Sequence, residues 1–241
     1  MSVEYSVVVP VCNEAENVEP LAREIDAALA GRAYEMLFVD DGSTDDTAAI
    51  LLQIKAALPA LRVLRHSFRS GQSAAVASGV RAARAPWIAT LDGDGQNDPA
   101  DIPKLIAARD DPANRSVQLI MGNRQASRRD TAYRKLQSSI ANGVRAGLLG
   151  DGTPDTGCGI KLFSRDQFLE LPRFDHMHRF LPALFQRQGA RVISVPVSHR
   201  PRLRGTSKYG MFNRLWVGIV DIAGVMWLRR RYKSGLLVRE D

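Results

Sequence analysis

The stretch 87–96, WIATLDGDGQ, decides how this chain is read, because a short apolar run ends in two carboxylates, Asp92 and Asp94, one residue apart. Trp87 to Leu91 suits a buried strand, bounded by Pro86 before it and by Gly93 and Gly95 after it. Open α/β sheets place their ligands at the carboxyl ends of strands, which is where both aspartates would stand. Side chains alternate along extended backbone, so residues i and i+2 point the same way and both carboxylates can reach one hard cation. The competing reading is a solvated turn, since Asp and Gly are common turn residues.

Upstream the chain repeats a strand, loop and helix. Tyr5 to Pro10 (YSVVVP) is a β-branched run, followed by Cys12-Asn13-Glu14 and a helical pattern from about Val18 to Leu29. Glu35 to Asp40 (EMLFVD) is a second strand; Asp41-Gly42-Ser43-Thr44 then turns the chain, and Asp45 or Asp46 caps a helix to about Leu58. Leu61 to Leu64 is a third strand, and Gly71 to Ala83 a helix of small residues able to pack closely on a sheet. This alternation implies an α/β fold with a mostly parallel central sheet and helices on both faces. Loops after strands one, two and four then share a rim carrying Glu14, Asp40, Asp41, Asp92 and Asp94. So much negative charge requires a cation or hydrogen-bonding partner, which favours a ligand site over a plain turn.

No Gly/Ser- or Pro-rich linker divides the 241 residues, so one large domain over 1–210 is expected, followed by a distinct segment over 211–241. Hydrophobic residues at 45% and charged residues at 24% place the chain among soluble globular proteins. Cys12 and Cys158 lie in separate motifs without CxxC spacing, which implies a reducing compartment and no disulfide framework. The net charge of +7 calls for an anionic partner, and Ser2 to Pro10 reads as a strand rather than a signal peptide.

Pro10-Val11-Cys12-Asn13-Glu14, Asp40-Asp41-Gly42-Ser43-Thr44-Asp45 and Asp92-Gly93-Asp94-Gly95-Gln96, in that order, resemble the family 2 inverting glycosyltransferases of the nucleotide-diphospho-sugar (GT-A) fold. Within that family the chain is most similar to the dolichyl- or polyprenyl-phosphate sugar synthases, whose usual Asp-Ala-Asp-Leu-Gln has Gly93 and Gly95 as its filler residues here. The resemblance implies that Pro10, Glu14 and Asp41 hold the nucleoside, Asp41 at the base. It puts Asp92 near the ribose and metal, and Asp94 and Gln96 on the metal. An all-oxygen site suits Mg²⁺ or Mn²⁺, which would stabilise charge on a departing nucleoside diphosphate.

Leu119 to Gly122 reads as another buried strand delivering Asn123-Arg124 to the same region. Beyond it Arg134 and Ser138 lie four apart on a helical segment and can hold one phosphate together. For Arg128, Arg129 and Lys135 on that segment, a solvated helix face is the plainer reading. The resemblance assigns acceptor-phosphate binding to Arg124, Arg134 and Ser138. Asp155 opens a Gly-punctuated turn before the strand-like CGIKLF. It is either a base for an acceptor hydroxyl or a positioning residue for an acceptor phosphate, which with a second pKa of about 6 is already largely dianionic. Cys158 reads as a small buried residue, and His176, His178 and His199 as structural or surface residues without metal-ligand spacing.

Arg191 to Val197 is the last strand. Arg202, Gly205, Ser207, Lys208 and Tyr209 then reproduce an Arg-x-x-Gly-x-Ser-Lys-Tyr pattern of the lipid-phosphate sugar synthases, a cationic loop suited to closing over diphosphate and acceptor. Nucleic acid is not expected as a partner, because aromatic stacking platforms are missing from this loop. Leu215 to Leu228 is strongly apolar but contains Asp221 and falls short of the roughly 20 residues that span a bilayer. At ~100° per residue, Trp216 and Trp227 fall within about 20° of each other on a helix, near Ile219, Ala223 and Met226. With Arg229, Arg230, Arg231 and Lys233 following, this is an amphipathic helix for a membrane interface or, alternatively, a core or dimer helix.

The expectation is a metal-dependent inverting glycosyltransferase using a nucleotide-diphospho-sugar donor and a polyprenyl (undecaprenyl or dolichyl) phosphate acceptor. It would be cytoplasmic and peripheral on the inner membrane face, with a homo-oligomer or a membrane partner protein open. The alternatives are transfer to a saccharide hydroxyl with Asp155 as base, and a non-catalytic basic module.

Overall fold

The structure, a computed structural model, describes residues 2–124, 147–201 and 211–232, except for the side chains of 211–217. The first half alternates β1 (Tyr5–Val11), α1 (Ala15–Ala28), β2 (Tyr34–Asp40), α2 (Thr47–Ile54), β3 (Leu61–Arg65), α3 (Gln72–Ala82) and β4 (Trp87–Thr90). The second half adds α4 (Ile102–Asp110), β5 (Val117–Asn123), β6 (Lys161–Ser164), α5 (Arg165–Leu169), α6 (Leu181–Arg187), β7 (Arg191–Pro196) and α7 (Met211–Arg231). All seven strands form one sheet in the order β3-β2-β1-β4-β6-β5-β7.

The chain steps outward from β1 to β2 and β3, then returns to place β4 on the other side of β1, all four strands running parallel. Loops leaving β1 and β4 diverge at that reversal, which opens a crevice at their carboxyl ends. β7 is parallel to β5, whereas β6 is antiparallel to both β4 and β5. Its direction has a simple cause. Lys161, the first residue of β6, pairs with Thr90, the last residue of β4, so the chain enters this strand from the rim and delivers Asp155–Ile160 to the crevice.

Both faces of the sheet are buried. Val7 and Val9 of β1 pack with Ile25, Phe38, Leu51 and Ile106 on one side, whereas Val8 packs with Leu37, Val80, Phe163 and Leu184 on the other. The period-two alternation thus makes both surfaces apolar, which is why the strand reads as a continuous run of valines. Element ends shift slightly from expectation: α1 starts at Ala15 and α2 ends at Ile54. Asp46 makes no side-chain capping bond. Asp45 accepts from Thr47 N–H (3.0 Å) and Ala15 N–H (3.3 Å), tying the two rim loops together.

Helix α7 docks on α6 through Val225, with Ile222 and Met226 half-buried beside it. Arg187 Nε donates to the Leu228 carbonyl (3.1 Å), and Asp221 meets His176 Nδ1 at 3.2 Å. Met226 therefore turns inward, while Ile219, Val220 and Trp227 stay exposed on the far side. Among the described residues no helix is long and apolar enough to cross a membrane.

The small residues of α3 allow its backbone to lie directly on β1 and β2. A Cβ at Gly79 would overlap Val8 Cγ1 and stand 3.1 Å from Val39 Cγ2. Gly79→Leu is expected to cost about 1–3 kcal/mol through overpacking, lowering the calorimetric Tm by roughly 2–4 °C per kcal/mol. Leu52→Ala, at an exposed position on α2, serves as the neutral control.

Candidate active site

Three rim loops are fastened to one another before any ligand is considered. Asn13, with a left-handed backbone (φ 53°), accepts from Thr44 N–H (2.8 Å) and donates its own N–H to Ser43 Oγ (2.9 Å). Glu14 N–H donates to Thr47 Oγ1 (2.9 Å), while the Glu14 carboxylate accepts from Asn17 Nδ2 (2.7 Å). Buried Asp40 accepts from Ser43 N–H (2.9 Å) and lies 3.3 Å from Arg65 Nε. Pro10 sits half-buried near the end of β1, beside these loops.

Asp41 is buried. Its Oδ1 accepts from Ser70 N–H (2.8 Å) and meets His66 Nδ1 (2.7 Å), and its Oδ2 accepts from Gly71 N–H (2.8 Å). The second His66 nitrogen contacts Ser78 Oγ at 2.9 Å. The carboxylate that the sequence placed at the nucleobase thus organises the loop between β3 and α3.

Asp92 and Asp94 follow β4 as expected. Asp92 Oδ1 accepts from Gln72 Nε2 (2.8 Å) at the start of α3, and Asp92 N–H donates to Asn97 Oδ1 (3.2 Å). Asp94 accepts from Gln96 N–H (3.1 Å), and the Gln96 carbonyl receives Arg200 N–H (3.0 Å). Burial, and then the charge of Asp94, push the Asp92 carboxyl above its ordinary range, while Lys161 and Arg124 pull it back. This excess negative charge is what a divalent cation would neutralise. Among the described residues no group of three or more His, Cys, Asp or Glu could hold a metal by itself. Asp92, Asp94 and Gln96 fit an ion of the kind that takes one or two carboxylates and completes its shell with substrate phosphates.

Across the crevice, Arg124 and Asp155 form a buried two-pronged pair: Nε to Oδ2 at 2.8 Å, Nη2 to Oδ1 at 3.0 Å, with Arg124 N–H also on Oδ2 (3.1 Å). The Gly157–Ile160 turn carries this arrangement to Asp92. Gly159 lies so close that a Cβ there would overlap Asp92 Oδ2 and Asn97 Oδ1, and its carbonyl accepts from Thr90 Oγ1 (2.9 Å). Cys158 is fully buried and its thiol is pushed up by burial, as an inert packing residue should be.

Sequence reasoning missed Lys161. Its ammonium is buried, donates to the Cys158 carbonyl and is pushed down by burial, against upward pulls from Cys158, Asp92 and Asp155. The signal was a lysine inside an otherwise apolar strand run. His178 was read as a structural or surface residue. It meets Ser73 Oγ through Nδ1 (2.7 Å), and its N–H donates to the same oxygen (3.3 Å), fixing its segment to α3 beside Gln72. Arg134, Ser138, Arg202 and Lys208, with Arg128, Arg129, Lys135, Gly205, Ser207 and Tyr209, lie outside the described residues.

This crevice belongs to the fold of nucleotide-diphospho-sugar transferases. The chain matches glucosyl-3-phosphoglycerate synthase from Mycobacterium tuberculosis, in complex with phosphoglyceric acid, at a TM-score of 0.70 and 20% identity, over 94% of this chain and 80% of that one. The same enzyme in complex with Mn²⁺, UDP and glucosyl-3-phosphoglycerate matches at 0.67, again with 20% identity and 94% and 80% coverage. Residues 6–171 match glycosyl transferase family 2, and the chain belongs to that family. It is 34% identical over 238 residues to the dodecaprenyl-phosphate galacturonate synthase of Rhizobium johnstonii, covering 97% of this chain and 69% of that protein. It is also 34% identical over 213 residues to the undecaprenyl-phosphate 4-deoxy-4-formamido-L-arabinose transferase of Klebsiella pneumoniae subsp. pneumoniae, covering 87% of this chain and 63% of that protein.

Two outcomes are expected. Asp155→Ala strands a buried guanidinium and is expected to cost about 3–5 kcal/mol in urea unfolding. Burial holds the His178 pKa down to about 3, against an ordinary value of 6.5, so its unfolded form takes up the proton first. Its contribution is fully present above pH 6.5 and is lost as pH falls toward 3; Tm measured from pH 7 to 4 should fall less steeply in His178→Gln than in the unmodified protein.

Proposed function

We propose that this chain transfers a sugar from a nucleotide-diphospho-sugar to a polyprenyl phosphate with inversion, using Mg²⁺ or Mn²⁺. The observation that carries this reading is the Arg124–Asp155 pair. A carboxylate that accepts three hydrogen bonds from one arginine is suited to fixing that arginine, not to removing a proton from a hydroxyl. A phosphate acceptor needs no such base, because its oxygen is already anionic. The names of the two relatives, both polyprenyl-phosphate sugar transferases, support the same acceptor.

In this reading Pro10, Glu14 and the loop held by Asp41 surround the nucleoside. Asp92, Asp94 and Gln96 would hold the metal, which when bound neutralises charge on the leaving diphosphate. Arg124, Arg134 and Ser138 orient the acceptor phosphate in line with the anomeric carbon, and Arg202 and Lys208 cover the diphosphate and exclude water. Helix α7 would form a C-terminal membrane-interfacial unit with the basic tail over 211–241, resting its exposed Ile219, Val220 and Trp227 at the cytoplasmic face of the membrane beside Arg229–Arg231.

Incubation with candidate UDP- and GDP-sugars, Mn²⁺ and undecaprenyl phosphate should yield a glycolipid by mass spectrometry. The product should disappear with EDTA and return with added Mn²⁺. Arg134→Ala should lower kcat/KM by about 30- to 100-fold, the worth of a charge-assisted phosphate contact. Turnover on a saccharide hydroxyl with none on the lipid phosphate would instead establish the second reading, with Asp155 as base.

A further inference from the structure

Phe68 has the most exposed large apolar side chain among the described residues, at 71%. A lone exposed ring on a pliant loop would need no explanation. The loop beneath this one is held at both ends and in the middle. His66 N–H donates to the Asp40 carbonyl (2.8 Å), the Asp41 carboxylate takes Ser70 N–H and Gly71 N–H (2.8 Å each), and Ser70 Oγ donates to the Phe68 carbonyl (3.1 Å). Its centre rests on the turn after β2. A Cβ at Gly42, whose φ is +68°, would stand 2.7 Å from both the Phe68 carbonyl carbon and Arg69 N, so the turn must present bare backbone there. A fixed bracket therefore holds the Phe68 backbone against Gly42, beside Asp41, and leaves its ring in water at the rim.

We infer that Phe68 is the surface on which the nucleobase of the donor stacks, with Asp41 acting as a positioning residue that shapes the bracket. The ligand class is a nucleoside diphosphate, and the inference rests on the nucleotide-donor reading above. A planar base of any identity offers a π-face to such a ring, and a preformed platform orders little on binding. The same geometry separates holding the base from recognising it: the Asp41 carboxylate is bonded to the loop that carries Phe68, and stacking supplies grip that is tolerant of base identity.

The test is isothermal titration of UDP, GDP and dTDP, with Mn²⁺, into the unmodified protein, Phe68→Ala and Phe68→Trp. Phe68→Ala should bind the preferred nucleotide about five- to tenfold more weakly, the low end for loss of one base–aromatic stack, with its Tm nearly unchanged because the ring is exposed. Phe68→Trp should restore binding. Equal nucleotide affinity in Phe68→Ala would overturn the inference, including the case in which only its partition onto phosphatidylglycerol vesicles falls. If none of the three nucleotides binds the unmodified protein, the donor reading fails and takes this inference with it.

Discussion

Charges removed from water must be neutralised where they stand, and this crevice is arranged around four of them. Asp92 and Asp155 supply two carboxylates, Arg124 and Lys161 two cations; Asp155, Arg124 and Lys161 are buried and Asp92 is half-buried. Burial pushes Asp92 and Lys161 toward their neutral forms while the opposite charges pull each back toward the ionised one, and the Arg124–Asp155 pair cannot lose one member without stranding the other. The backbone follows from this constraint. Strand β6 enters from the rim so that the turn before it can pass beneath Asp92 and place Asp155 against Arg124.

The rim loops obey the same logic with hydrogen bonds in place of full charges. Asn13, Asp40, Asp41 and Asp45 each satisfy backbone N–H groups on a neighbouring or their own loop, so the acidic rim is largely an internal framework. Asp92 and Asp94 are different in kind. Their mutual repulsion is only partly offset by protein groups, which leaves net negative charge in the crevice for a cation to balance.

The strands of the first half were legible because β-branched runs bounded by Gly, Pro and Asp have few other ways to bury themselves, and the reversal that opens the crevice follows from their order. The direction of β6 was not legible, since the four residues Lys161–Ser164 carry no sign of which end meets the rim. Lys161 was passed over because a single lysine in a strand usually reaches solvent, and only the presence of sheet on both sides shows that it cannot. Asp41 was singled out for the nucleoside, but its bonds to Ser70 and Gly71 join positions 29 and 30 residues away, a pairing that no local pattern announces. Asp221, an oddity in an apolar helix, becomes intelligible once His176 stands opposite it.

Strand β6 also acts as a spacer. On one edge it is bonded to β4, which ends at the carboxylates proposed for the donor side; on the other it is bonded to β5, which ends at the arginine proposed for the acceptor side. The separation of the two reactant stations is thereby set by two strand-to-strand repeats of a hydrogen-bonded lattice, each about 4.8 Å, and not by the reach of any loop. A lattice of this kind does not stretch. The loops can vary in what they carry while the distance across which a sugar must pass stays the same.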